Sequence, residues 1–319
     1  MIKIRSPSRL HLSLIDMNAE LGRVDGGVGI TLDSPNITLS AEKHDGIEIT
    51  GGSSLSDRVH AAVEALLPEG EGVKVHVEED MPPHVGLGSG TQIALSAAAA
   101  VNELYDLGLS VNELAIRVGR GGTSGIGVAS FENGGFLVDC GHKFSDKGSF
   151  SPSSASRADP APVIFRHDFP EWDIILALPD SKGAHDAQEV DIFKKECPIP
   201  LQEVQEVSHV VLMQMMPSII EGDIENFGMA LNHLQSVGFK KREVALQSPA
   251  VRDLIEFMQD LGAAGAGMSS FGPVVFGIVD HRRMAEQIRK EAQLFLDDTV
   301  GGNVVLTRAN NSGAKIWKD

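Results

Sequence analysis

Two cysteines, Cys140 and Cys197, are all that the 319 residues contain. They form no Cys-x-x-Cys pair, so neither a disulfide framework nor a cysteine zinc site organises the chain, and a reducing compartment is expected. Basic residues are scarce beside acidic ones, 27 against 44, giving a formal charge of −17. That balance argues against nucleic acid or an anionic membrane surface as a partner. No apolar run approaches the roughly 18 residues needed to span a bilayer. Met1-Ile2-Lys3-Ile4-Arg5 enters a strand pattern directly, with no signal-peptide core. A cytoplasmic protein is the expectation. The histidines show no His-x-x-x-His or Cys-His spacing that would build a zinc site. No repeat of about 20–50 residues recurs.

Glycine, by contrast, is plentiful, and one cluster of it is placed with purpose. Val73, Val75 and Val77 alternate with Lys74, His76 and Glu78, which predicts a half-buried strand. Ala94, Leu95, Ala98, Val101 and Leu104 predict an alanine-rich helix able to pack closely. Between them lies Pro82-Pro83-His84-Val85-Gly86-Leu87-Gly88-Ser89-Gly90-Thr91-Gln92. Glycine lets backbone N–H groups approach a ligand, and the helix dipole behind them favours an anion, most simply a phosphate. Gly86, Leu87, Gly88, Ser89, Gly90 and Thr91 are therefore candidate phosphate contacts. The alternative is a plain glycine-rich turn. The loop holds no lysine and no Gly-Lys-Ser/Thr ending, which excludes a Walker A motif.

Around this loop, strands are predicted at 2–6, 10–14, 30–32, 37–41 and 47–50, the last three in an antiparallel sheet. Pro7 is expected to turn the chain between the first two. Ser56 is placed to cap a helix running to Leu67. Residues 16–29 read as a polar loop around Arg23 and Asp25, which either pair to hold it or face a substrate. Residues 141–162 are the clearest linker, dividing the chain into 1–155 and 156–319. Beyond it, a strand at 172–178 precedes a polar stretch, 183–193, whose Glu189 can face a cleft. Helices follow at 204–220, 224–234, 250–259 and 282–296, with strands at 274–279 and 303–308. Met213, Met215 and Met216 read as core filler rather than a cofactor box. Strands first, then alternating helices and strands, give a two-lobed α+β architecture.

Three segments, in order, resemble the motifs of the galactokinase, homoserine kinase, mevalonate kinase and phosphomevalonate kinase (GHMP) superfamily. They are Ser6-Pro7-Ser8-Arg9-Leu10-His11, the glycine loop 82–92, and Gly262-Ala263-Ala264-Gly265-Ala266-Gly267-Met268-Ser269-Ser270-Phe271-Gly272-Pro273. The resemblance implies a GHMP-kinase-like fold. Its N-terminal lobe would be like domain 2 of ribosomal protein S5, and its C-terminal lobe ferredoxin-like α/β. It also adds Arg9, Gly267, Ser269 and Ser270 to the candidate phosphate and substrate contacts. Gly-Leu-Gly-Ser-Gly-Thr-Gln, Gly26-Gly27-Val28-Gly29 and Ser269-Ser270-Phe271-Gly272-Pro273 resemble one branch more closely. That branch is the archaeal-type β-ribofuranosylaminobenzene 5'-phosphate synthases of methanopterin biosynthesis.

Two departures bear on the chemistry. Kinases of the superfamily usually carry a Gly-x-Asp whose aspartate serves the acceptor hydroxyl; aligned on Gly134-Gly135, that position is Gly127, which can neither take a proton nor orient a hydroxyl. Gly90-Thr91-Gln92 stands where kinases carry Ser-Ala-Ala; Thr91 and Gln92 either contact the substrate or only cap the helix. The synthase resemblance implies phosphoribosyl pyrophosphate as donor and 4-aminobenzoate, or 4-hydroxybenzoate, as acceptor, with loss of carbon dioxide and pyrophosphate. It implies Mg²⁺ at the leaving group, for which Ser89 and Thr91 are the candidate metal contacts. Asp25, then Glu189, would stabilise positive charge on the ribosyl ring. Arg9 or Arg23 would receive the benzoate carboxylate. His11 would move a proton, unless it is only a hydrogen-bonded core residue. A homodimer is compatible with the resemblance. The second reading is an ATP-dependent small-molecule kinase.

Overall fold

In the computed structural model, which describes residues 1–153, 155–156, 158–181 and 187–318, the first strand does not stop at Pro7. β1 (Ile2–Asp16) runs straight through it, and β2 (Arg23–Lys43) returns beside it. The predicted turn is instead a bulge. The register slips between Ser6/Ile37 and Ser8/Leu32, so residues 33–36 of β2 loop out opposite a proline that has no N–H to donate. The same slippage joins the strands expected at 30–32 and 37–41 into one, which also absorbs 23–29 of the expected polar loop.

The chain continues through β3 (Ile47–Thr50), α1 (Ser56–Glu64), β4 (Val73–Glu79), α2 (Ser89–Leu104), α3 (Val111–Arg117) and α4 (Ile126–Glu132). Then come β5 (Phe136–Asp139), β6 (His142–Lys143), α5 (Phe144–Lys147), β7 (Val163–His167), β8 (Asp173–Pro179) and α6 (Ala187–Glu196). α7 (Leu201–Val210) passes through a π-helical turn (Val211–Met215) into α8 (Met216–Glu221). The last elements are α9 (Ile224–Leu234), α10 (Gly238–Ala245), α11 (Pro249–Asp260), β9 (Gly265–Met268), β10 (Val275–Val279), α12 (Arg282–Asp297), β11 (Gly302–Thr307) and β12 (Lys315–Lys318). Residues 183–186 of the polar stretch lie outside the described residues.

Two sheets carry the two-lobed α+β fold. The first has the order β12-β1-β2-β4-β3, with β5 and β6 on β2 and β7 on β5. β3 pairs with β4 in parallel, not antiparallel as the sequence suggested. β7 and β12, both from beyond residue 156, belong to this first sheet. The second sheet is β11-β8-β10-β9, antiparallel throughout.

α2 explains its own composition. Gln92 to Val101 is buried without interruption, because the helix lies between the first sheet and helices α1 and α4. The run of small residues Ser96 to Ala100 permits close approach on more than one face. Ser56 does not cap α1; its hydroxyl donates to the Ser53 carbonyl and Leu55 holds the N-cap position. Of the three methionines assigned to the core, Met215 is fully buried but Met213 is exposed, since residues two apart on a helix face opposite sides.

One continuous apolar core spans both sheets. Phe227 of α9 sits at its waist, fully buried, with ring centroids 6.1 Å from Phe136, 5.6 Å from Phe169 and 5.5 Å from Trp172. The contacts with Phe136 and Phe169 are edge-to-face, an arrangement that adds to the area each ring buries. Phe227→Ala is expected to cost about 3–5 kcal/mol by transfer loss and cavity. A lowered urea midpoint for a single cooperative transition checks it; an unchanged midpoint would mean that the two lobes do not share this core.

Candidate active site

The glycine loop forms because its flanks leave no alternative. β4 ends at Glu79 and α2 starts at Ser89, with Gly88 in the left-handed region at φ 80° as N-cap. Gly86, at φ 93°, has the Ser269 carbonyl oxygen where a Cβ would stand, 2.3 Å away, so no other residue fits. The Gly88 carbonyl takes the N–H groups of Thr91 and Gln92 at 3.0 and 3.1 Å. The N–H groups of Ser89 and Gly90 have no acceptor among the described residues, and these point the helix N-terminus at the cleft.

Three segments are bolted together here. Arg9 Nη1 donates to the Gly86 carbonyl, and Ser269 Oγ donates to the same oxygen at 2.6 Å. The His11 N–H donates to Ser269 Oγ at 3.0 Å, and the Ser270 N–H to the His11 carbonyl at 2.9 Å. Lys240, on α10, donates to the Ser270 carbonyl at 2.9 Å and pairs with Glu243 one turn along. Both are buried: burial pushes the Lys240 ammonium down and the Glu243 carboxyl up, each opposed by the other's charge.

The cleft so framed has a volume of about 210 Å³. Its walls differ in chemistry. One is apolar, with Leu14, Phe193 and Phe271; another holds Arg58, Arg120 and the loop backbone at Gly88, Ser89, Gly90 and Thr91. Arg9, His11, Glu189, Glu243 and Ser270 also line it. Burial lowers the Arg9 guanidinium to about 10, against the opposing pull of Glu189 and Glu243. Burial, with Arg9 and Lys240 nearby, takes His11 well below the usual histidine value, so its imidazole is neutral at pH 7.

Several candidates fall elsewhere. Leu87 is a core residue whose carbonyl receives the Arg9 N–H. Gln92 is fully buried and its amide donates to the Gly127 carbonyl at 2.7 Å, so it ties α2 to α4 and does not line the cleft. Gly267 lies within β9 against Gln235. Ser269 braces the loops from behind the wall. Arg23 does not pair with Asp25; its guanidinium donates to the Cys140 and Gly141 carbonyls at 3.0 and 2.8 Å.

Asp25 is also turned inward, with 0% side-chain exposure. Lys147 Nζ donates to both of its oxygens at 2.7 Å, and His142 Nδ1 lies 2.7 Å from Oδ2. Lys147 continues to Thr123 Oγ1 at 3.2 Å and to the Ser151 carbonyl at 3.0 Å, so the pair stands behind the cleft wall that Thr123 forms. Asp139 is buried beside this group, and burial raises its carboxyl to about 6 against hydrogen bonds from Gly141, Ser124 and Gly125.

The residues missed from sequence are Arg58, Arg120, Thr123, Lys240 and Glu243. Arg58 and Arg120 precede no glycine motif of the expected order, although Arg120 adjoins Gly121-Gly122. Gly127 does face the cleft, where a Cβ would lie 3.2 Å from Thr91 Cγ2. For Mg²⁺, the described residues contain no group of three His, Cys, Asp or Glu side chains fit to hold a metal. The Ser89 and Thr91 hydroxyls, which line the same cleft as Glu189, suit an ion that arrives on phosphate oxygens and keeps most of its own waters.

Comparison with known proteins agrees with this geometry. The family profile of the GHMP kinases N terminal domain matches residues 57–135, and that of the GHMP kinases C terminal domain matches 215–298. A beta-ribofuranosylphenol 5'-phosphate synthase from Methanothermobacter thermautotrophicus is 47% identical, covering 99% of this chain and 98% of its own. One of the same name from Methanocaldococcus jannaschii is 44% identical, covering 98% and 99%. Among solved structures, L. major mevalonate kinase in complex with R-mevalonate superimposes with a TM-score of 0.70 at 15% identity, over 98% of this chain and 96% of that one.

The Asp25–Lys147 pair yields a prediction. Asn tolerates the left-handed backbone that Asp25 adopts at φ 72°, so Asp25→Asn removes the charge with little else. It leaves Lys147 buried without its counter-ion, which costs about 3–5 kcal/mol. Burial already holds Lys147 below the ordinary lysine value of 10.5. The deficit is therefore full at neutral pH, where the ammonium is charged in both states, and shrinks as pH rises toward the unfolded value. Melting temperatures of both proteins from pH 6 to pH 10 check the sign; a deficit independent of pH would sink it.

Proposed function

The chain belongs to the family of β-ribofuranosylphenol 5'-phosphate synthases, built on a GHMP kinase scaffold, and from that premise we propose its substrates and its chemistry. It is an enzyme of the C-riboside-forming, pentosyltransferase type. The donor is phosphoribosyl pyrophosphate. The acceptor is 4-hydroxybenzoate in preference to 4-aminobenzoate, because the relatives' name ends in a phenol, and decarboxylation of the hydroxy acid leaves one. The reaction belongs to methanopterin biosynthesis, as the sequence resemblance implies.

One observation carries this reading over a kinase. Position 127 faces the cleft beside Thr91 and carries no side chain, so the acceptor meets no carboxylate there. The proposed reaction needs none. The ring carbon that bears the carboxylate attacks the anomeric carbon as the bond to pyrophosphate breaks. The electron pair of the ring–carboxylate bond then returns to the ring, and carbon dioxide leaves. No ring proton is lost.

The residues divide the work by wall. The N–H groups of Ser89 and Gly90 receive the departing diphosphate at the helix N-terminus. A Mg²⁺ brought with it and held at Ser89 and Thr91 would neutralise charge on the leaving group. Phe193 and Phe271 give the aromatic acceptor an apolar seat, and Arg9 receives its carboxylate. Glu189 supplies negative charge for the ribosyl ring as it becomes electron-poor. His11, neutral, lines the seat without adding a charge.

Two measurements test the proposal. With phosphoribosyl pyrophosphate, 4-hydroxybenzoate and Mg²⁺, the protein should release carbon dioxide and pyrophosphate in equal amounts without ATP. Its kcat/KM should be higher than with 4-aminobenzoate. A strict ATP requirement, with phosphate appearing on an acceptor, would return the kinase reading. Glu189→Gln should lower kcat about 10²–10³-fold, roughly 3–4 kcal/mol, with little change in either KM. A change confined to KM would remove Glu189 from the chemical step.

A further inference from the structure

Among the described residues, the lysines and arginines that line or back the cleft are held by a carboxylate or carbonyl, with two exceptions. Lys147 has Asp25, Lys240 has Glu243, and Arg9 has the Gly86 carbonyl with two acidic residues in range. Arg58, on α1, and Arg120, in the turn after α3, are the exceptions among the cleft's cations. Neither guanidinium has a hydrogen-bond or ion-pair partner among the described residues, and Arg120 Nε is buried with none. They stand close enough for the Arg58 charge to depress Arg120, which burial chiefly holds at about 10. Two like charges held together, one of them partly desolvated, repel unless an anion lies between them.

Their position says which anion. Arg58 reaches over the phosphate loop: a Cβ placed on Gly90 would lie 2.3 Å from Arg58 Nη1, so the guanidinium lies directly against the Gly90 backbone. An anion on the free N–H groups of Ser89 and Gly90 is thus within reach of the Arg58 fork. Arg120 lines the same cleft next to Gly121. A guanidinium presents paired donors that match two phosphate oxygens at once. In a chain of charge −17, such a pair also offsets the field that would otherwise repel a highly charged donor.

We infer that Arg58 and Arg120 form a clamp on the diphosphate of the ribosyl donor, closing over an anion already seated on the helix N-terminus. The inference rests on the ribosyl-transfer reading and adds to it two binding residues from segments outside all three glycine and Pro-x-Arg motifs. Arg58 and Arg120 bind the leaving group, while Arg9, whose guanidinium also lies against the loop at Gly88, is already held by the Gly86 carbonyl and balanced by two acids.

The test is calorimetric titration of the full-length protein with inorganic pyrophosphate and Mg²⁺. Wild type is compared with Arg58→Gln, Arg120→Gln and, as a control for the loop itself, Gly88→Ala. Each Gln variant should weaken pyrophosphate about 10- to 100-fold, the scale of a lost charge-assisted contact. Each should raise the donor KM and leave the acceptor KM unchanged. Arg58→Lys should recover part of the affinity, since it keeps the charge and loses the fork. Added salt should weaken wild-type binding more steeply than that of the Gln variants. If both Gln variants bind as wild type while Gly88→Ala does not, the clamp is wrong and the loop reading stands. If wild type itself fails to bind pyrophosphate, the ribosyl-transfer reading falls and the clamp with it. Should Arg120→Gln not fold, Arg58→Gln decides alone, because both charges act on one anion.

Discussion

The carbonyl oxygen of Gly86 is the point on which the site depends. It accepts from Arg9 of β1 and from Ser269 of the third loop, residues 77 and 183 positions away. A carbonyl has two lone pairs, and both are taken by segments from different parts of the chain. The absent Cβ at Gly86 is what lets the Ser269 backbone close in, and Leu87 then receives the Arg9 N–H. The glycine loop is therefore not a flexible strap. Its free N–H groups are aimed by the docking of β1 and the β9–β10 connection, and a charge that develops at the loop meets donors already in place.

Charge compensation gives the cleft its second level of order. A buried cation beside a carboxylate is part of the scaffold, because removing either partner leaves the other stranded. Lys147 with Asp25 and Lys240 with Glu243 are of that kind, and each holds a wall from behind: Lys147 through Thr123, Lys240 through the Ser270 carbonyl. The arginines that no acid answers belong to whatever the cleft receives. This distinction moves Asp25 behind the wall and brings Arg58 to the front.

How much of this could be read beforehand depended on sequence distance. β4, α2 and the loop between them were legible because alternation, alanine spacing and glycine clustering act over a few residues. α9, α11 and α12 were read nearly to the residue for the same reason. Asp25 could not be placed, since its partner Lys147 lies 122 positions on and nothing local marks the pair. Nothing local marks Arg58 on α1; only the fold lays it over Gly90. Pro7 signals a break in isolation, yet the slack in β2 turns it into a bulge. β7 and β12 are short and lie on sheet edges, where half-exposed strands lose the alternation that betrays central ones.

The glycine at position 127 shows how a phosphoryl-transfer scaffold can carry a different bond formation. Both reactions separate a phosphate-bearing leaving group from its partner, and both need the helix N-terminus for that. They differ in what the acceptor requires. A hydroxyl acceptor must lose a proton, so a carboxylate beside it is useful. A ring carbon that expels carbon dioxide supplies its own electron pair, and a carboxylate there would only repel the acceptor's own. Space points the same way: even a Cβ at 127 would stand 3.2 Å from Thr91 Cγ2. A full aspartate would therefore press against Thr91 and set a negative charge in the cleft beside the loop. Glycine removes both obstacles at once, and the Gln92 amide, donating to the Gly127 carbonyl, keeps the shortened wall in place.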